Sequence, residues 1–271
     1  MTVTVPVYVV LAIAAVTSTA YIHAARKILD GRPLFRESPR PRIHWGWLGA
    51  LGVFSLFVMF QILALIVYRG LWGEVKAPGS VAGFALVMYM FNLVTLAAIF
   101  LSAGRGGDAL EALGFRSLPL SQALWTGCYA FLLFIPVQFI YGVVLHLVWS
   151  AFTDRPFPIQ EAAESFFEAS PAVFAVLLVV ATLIAPFFEE LVFRGFVQGG
   201  LEKNLGSGAG VAATAILFTV AHGGKGALQI FPVAIALGLF YRRTRSLPAC
   251  MAFHFCINAS AVAIVLVVRG A

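Results

Sequence analysis

Apolar residues run along this chain in long unbroken stretches separated by short polar segments. They show neither the strict alternation of barrel strands nor the one-sided stripe of a soluble helix. The stretches cover residues 4–22, 45–68, 81–102, 121–149, 171–203, 207–222, 228–241 and 247–268. Stretches of about 18 residues or more can cross a ~30 Å hydrocarbon layer at ~1.5 Å per residue. The fifth is long for one crossing, and the sixth and seventh are short. The pattern predicts an all-α fold, a polytopic transmembrane bundle of about eight helices. No repeat, low-complexity tract or soluble segment divides it, so residues 1–271 read as a single membrane domain.

The connections refine this reading. "RKILDGRPLFRESPRPR" (26–42) combines Pro, Gly and dense charge, as expected of an exposed loop lying at the lipid surface. "DRPFPIQEAAESFFEASP" (154–171) carries Glu161, Glu164 and Glu168 at helical spacing beside Phe166 and Phe167. It predicts a short amphipathic helix whose acids form a solvated face. "LEKNLGSGAG" (201–210), with charge, Asn and three glycines, predicts a turn. "HGGKGALQ" (222–229) reads as a flexible turn or as a place where a substrate backbone comes close, with Lys225 a loop charge.

Composition agrees with a membrane protein, since the chain is 61% hydrophobic and 11% charged. A soluble protein of this size needs more polar surface. The first apolar stretch lacks a basic region before it, while Arg26 and Lys27 follow, so it reads as a retained first helix rather than a signal peptide. Threading the helices alternately places twelve basic residues on one side: Arg26, Lys27, Arg32, Arg36, Arg40, Arg42, Arg105, Arg116, Lys203, Arg242, Arg243 and Arg245. The other side holds five, Arg69, Lys76, Arg155, Lys225 and Arg269. By the positive-inside rule the first side is cytoplasmic and both termini lie outside, in what we expect to be a bacterial plasma membrane. The net charge of +6 then reflects topology and contact with anionic lipid in the bilayer. No interleaving of aromatic and basic residues suggests nucleic-acid binding.

Few polar side chains remain inside the last four stretches, and ionisable groups there call for partners, water or a function. Glu190 and Arg194 stand four apart, acid before base, the favourable order for a helical ion pair with a structural role. Glu189 points about 100° away from Glu190 and finds Phe193 rather than a base at i+4. Such a carboxyl suits general acid–base chemistry, or is a protonated, hydrogen-bonded core residue; taken alone it does not say which. Depth adds information. From a turn near Leu205, Glu189 lies 16 residues back and His222 17 forward. In an antiparallel pair both then sit ~25 Å from the turn, an acid facing a base. Pro186, just ahead of Glu189, can kink the helix and free backbone groups. His254 and Asn258, four apart on one face of the last helix, approach the same level and can donate hydrogen bonds to an oxyanion. No HExxH occurs, but zinc on Glu189, His222 and His254 stays open by ligand type. Cys128, Cys250 and Cys256 have neither disulfide-framework nor zinc-knuckle spacing and read as inert buried thiols.

EExxxR (Glu189, Glu190, Arg194), FxxxH (Phe218, His222) and HxxxN (His254, Asn258), in that order on successive apolar helices, resemble the CAAX protease and bacteriocin-processing family. That family includes type II CAAX prenyl endopeptidases and bacterial glutamic-type intramembrane proteases. The motifs lie within the helices of residues 171–268, which become the candidate catalytic core. The resemblance implies an active site inside the membrane, with Glu189 and His222 activating water and His254 and Asn258 stabilising the oxyanion. Glu190 and Arg194 would support the helix or also the substrate, and Phe218 would help shape the site. It implies a metal-free mechanism without cofactor, and a membrane-anchored protein or peptide substrate, with or without a lipid group. Competing readings are a non-catalytic immunity or scaffold protein, a proton-relaying transporter and a zinc-dependent membrane protease. Against the transporter, the polar groups cluster at one level and no inverted repeat is seen.

Overall fold

The computed structural model describes residues 7–154, 161–223 and 227–270. It is helical throughout, and no strand occurs among the described residues. Ten helices follow one another among the described residues: α1 (Val7–Leu29), α2 (Trp47–Trp72), α3 (Pro78–Gly104), the short α4 (Ala109–Ala112), α5 (Leu120–Phe152), the short α6 (Glu161–Glu168), α7 (Pro171–Leu205), α8 (Ser207–His222), α9 (Ala227–Thr244) and α10 (Leu247–Gly270). Helices α2, α3, α5, α7 and α10 are each long and apolar enough to cross a membrane, and α8 is a shorter apolar helix. This is a polytopic helical bundle. Its outer face is apolar, with Met90, Phe139 and Ile140 exposed, as expected where the surrounding solvent is lipid. The amphipathic helix expected within 154–171 is present as α6, whose end is held by Arg269 through the carbonyls of Phe166 and Ala169, both at 2.9 Å. Residues 4–6 of the first expected span and Gly224, Lys225 and Gly226 of the glycine-rich turn lie outside the described residues.

Helix α7 runs through the centre, and every residue from Glu190 to Gln198 is buried. Phe193 meets Phe57 of α2 and Phe218 of α8 edge-on, with ring centroids 5.7 and 4.9 Å apart. Trp45 stacks on Phe196 at 4.4 Å and donates its indole N–H to the Phe196 carbonyl at 2.9 Å. The α7–α8 hairpin closes at the single residue Gly206, whose φ of +82° suits glycine. Close packing of α8 on α7 also needs Gly210, because a Cβ there would fall 2.7 Å from the Glu202 backbone. On the other side α10 packs tightly against α5, where a Cβ on Gly127 would lie 2.3 Å from the Ala249 carbonyl oxygen.

Prolines inside the long helices shape them and create polar needs. A helical proline supplies no N–H and displaces the carbonyls behind it. Those carbonyls are met by side chains from other helices. Pro232 leaves the Leu228 carbonyl to Tyr141 of α5 at 2.8 Å, and near Pro136 the Leu133 carbonyl accepts the Tyr21 hydroxyl of α1. In α7 the chain widens into π-helical turns over Val180–Ile184 and Glu190–Gln198. The Ala185 N–H reaches back five residues to the Val180 carbonyl. The next bond in that register would join Pro186 to Ala181, and proline cannot make it. The Asn258 amide of α10 donates to the Ala181 carbonyl instead, at 2.7 Å.

Candidate active site

Two faces of α7 carry different chemistry. Glu190, Arg194, Gln198 and Glu202 recur every four residues and form a buried polar ladder. Arg194 donates to Glu190 Oε1 at 3.0 Å and to the Ala234 carbonyl of α9 at 3.2 Å. Its guanidinium also lies 4.4 Å from the centre of the Phe218 ring. Gln198 donates to Glu202 at 2.8 Å and to the Gly238 carbonyl at 2.9 Å, and Arg245 closes the ladder on Glu202 at 2.7 Å. Charges this deep stay ionised only where partners replace water. The sequence reading singled out Glu190–Arg194 but not Gln198, Glu202 or Arg245. The i, i+4 spacing of the first two was a visible signal, whereas Arg245 joins them only through the fold.

Glu189 begins the other face. Its Oε2 lies 3.6 Å from His222 Nε2 on α8 and 3.8 Å from His254 Nε2 on α10. Both rings are oriented by their second nitrogen. His222 Nδ1 is 2.8 Å from the Phe218 carbonyl, so it carries the proton and donates there. In the neutral ring Nε2 then faces Glu189 as an acceptor. His254 Nδ1 is 2.8 Å from Glu190 Oε1, which places the histidine between the two adjacent carboxylates. Glu190 thus does more than pair with Arg194, because it aims His254. Phe218 stands among Arg194, His222 and His254, its ring centroid 4.4 Å from that of His222 and 6.1 Å from that of His254. Helices α7, α8 and α10 therefore bring Glu189, His222 and His254 together. Asn258, one turn beyond His254, is engaged by Ala181 as described.

Exposure separates the two glutamates. Glu189 and His222 keep 12% and 27% of their side-chain surface open, while Glu190 and Arg194 keep none. The open surface faces a cavity of about 930 Å³. Its apolar wall includes Phe57, Phe84, Met88 and Ile230, and its charged mouth includes Arg69, Glu74, Lys76, Glu164 and Glu168. Tyr89 and Gln61, from the N-terminal half where no motif was found, also line it. Tyr89 is buried and its ring lies 4.9 Å from that of Phe188. Among the described residues, His254 and Asn258 do not line this cavity, so the polar groups reach it through Glu189 and His222. No three His, Cys, Asp or Glu side chains among the described residues converge in a metal-binding arrangement. Cys128 and Cys256 face each other across α5 and α10 with sulfurs 3.6 Å apart, and Cys250 is fully buried.

The fold and site define a class, a multi-pass membrane protein whose cavity ends on a carboxylate held between two histidines. Residues 171–260 match the family model described as Type II CAAX prenyl endopeptidase Rce1-like. That segment is similar to the family and is consistent with the CAAX protease and bacteriocin-processing kind, and the match supports a membrane protease-type hydrolase. No curated protein and no solved structure matches the chain.

Proposed function

We propose that the chain is a glutamic-type intramembrane endopeptidase that cuts a peptide bond in a membrane-associated protein or peptide. The observation carrying this reading is Glu189 Oε2 at 3.6 Å from His222 Nε2, on the cavity wall. That separation is too long for a strong direct hydrogen bond. The two groups instead converge on one point, where a water molecule can be held between them. Glu189 takes a proton from this water as it attacks the peptide carbonyl carbon. The carbonyl oxygen becomes an oxyanion, whose stabilisation we assign to N–H donors on His254 and Asn258; both stand behind the cavity lining, so the substrate carbonyl would have to reach past Glu189 and His222 to meet them. His254, anchored to Glu190 through Nδ1, can offer Nε2–H in its charged form. Asn258 keeps one amide N–H beyond the one given to Ala181. Collapse of the tetrahedral intermediate breaks the C–N bond, and the proton held by Glu189 passes to the leaving amine. The apolar wall suits a chain segment drawn from the bilayer, with or without a lipid group.

The test is cleavage of a library of short membrane-associated peptides by the purified protein in lipid. Glu189→Gln and His222→Ala are each expected to lower the rate by at least ~10²–10⁴-fold. Thorough chelation is expected to leave it unchanged. Full activity in Glu189→Gln would remove the base assignment. Loss on chelation with recovery on adding zinc would replace it with metal-assisted hydrolysis.

A further inference from the structure

At the opposite end of the bundle a second cavity of about 720 Å³ lies among the segment before α2, the α3–α5 connection and the α9–α10 turn. Its walls include four arginines, Arg40, Arg42, Arg116 and Arg245, against two carboxylates, Asp108 and Glu111. Asp108 is already committed. Its Oδ1 caps α4 through the N–H groups of Leu110 and Glu111, and its Oδ2 pairs with Arg116. Glu111 stands exposed, while Arg40 gives one N–H to the Ser207 hydroxyl. Arg42 is exposed and faces no carboxylate partner among the described residues.

Arg245 makes this more than a basic surface. It is 4% exposed, and it is the only non-glycine residue with positive φ, +49°, among the described residues. One guanidinium nitrogen bonds Glu202, but its buried Nε–H has no acceptor. The strained backbone holds Arg245 in the pocket wall, where its guanidinium is already paired with Glu202 and forms a closed floor beneath the exposed arginines. Packing fixes it in place, because a Cβ on Gly114 would fall 2.5 Å from the Arg245 carbonyl oxygen. Fixed guanidinium groups match the oxygens of phosphate.

We propose that this pocket binds a phosphate-bearing anion, the headgroup of an anionic phospholipid or free phosphate, through Arg40 and Arg42, over the wall formed by Arg245. Its level in the bundle suits a headgroup. It lies among the connections, and α5 enters the apolar layer at Leu120, with Trp125 75% exposed one turn on, as tryptophans at membrane interfaces are. The site is independent of the proteolytic reading and stands if that reading fails.

The test uses the full chain in a nonionic detergent. Native mass spectrometry follows retention of phosphatidylglycerol against diacylglycerol of equal chain length, and inorganic phosphate is added as a competitor. Saturable retention of phosphatidylglycerol over diacylglycerol is expected. The double variant Arg40→Gln/Arg42→Gln, both exposed positions, should weaken it about tenfold. Arg242→Gln removes the same type of charge at the same end outside the pocket and should change it by less than about twofold. Competition by inorganic phosphate would make the phosphate group sufficient, and retention without competition would assign the lipid headgroup; either upholds the site. Equal weakening by Arg242→Gln and the double variant would overturn it, as would the absence of any preference over diacylglycerol together with no binding of phosphate.

Discussion

Adjacent glutamates on one helix face opposite fates because about 100° of rotation separates them. Glu190 turns into the ladder, where it neutralises Arg194 and orients His254. Glu189 turns to the cavity between two imidazoles. The same chemical change should therefore have opposite effects at the two positions. Glu190→Gln leaves Arg194 buried without its counter-charge and should cost about 3–5 kcal/mol of stability. Glu189→Gln should cost about 1 kcal/mol or less while abolishing cleavage. Thermal unfolding in detergent beside a peptide-cleavage assay checks both. An unstable Glu189→Gln protein, or a stable and active Glu190→Gln protein, would reverse the two roles. Arg194→Ala should reduce folded yield for the same electrostatic reason, and a stable but inactive protein would move Arg194 into the chemistry.

Helices here are joined by what their irregularities expose. Pro186 removes the bond that the Ala181 carbonyl would accept in the π register, and Asn258 of α10 takes its place. Removing that donor by Asn258→Ala leaves a half-buried carbonyl unpaired and should cost about 1 kcal/mol. Adding Pro186→Ala restores an N–H to α7, so the loss from Asn258→Ala should shrink in that background. A double-mutant cycle measured by thermal unfolding reads this coupling, and strictly additive losses would break the link between the two residues. At the α5–α10 contact, Gly127→Val places atoms where the Ala249 carbonyl now lies, and should destabilise by at least about 1–3 kcal/mol. An unchanged melting temperature would mean that these helices can separate freely.

Across the whole molecule the two ends differ. One gathers the arginine-rich connections and the phosphate pocket, and the other holds the mouth of the Glu189 cavity. The positive-inside expectation is that the arginine-rich end faces the cytoplasm, in which case substrate enters from the opposite side. A cysteine introduced at Lys76, on the cavity rim, should react in intact cells with a membrane-impermeant thiol reagent. One introduced at Arg105, at the other end, should react only after permeabilisation. The reverse pattern would turn the protein over and open the cavity to the cytoplasm.

Much of this was legible in the chain because a helix in lipid must satisfy its own backbone, which turns hydropathy directly into crossings. The eight apolar stretches reappear as helices with similar limits. The common depth of Glu189 and His222 could be counted because α7 and α8 are joined by a single glycine, leaving little freedom in their register. What stayed hidden depends on rotation and on chain segments far apart in sequence. Spacing within one helix could not reveal that His254 reaches back to Glu190, that Arg245 closes a ladder begun on α7, or that Tyr89 and Gln61 from the unmarked half line the cavity. Hydropathy sets how many helices form and how deep each residue lies. Side-chain packing between helices decides how each one is turned about its axis, and so which polar group meets which.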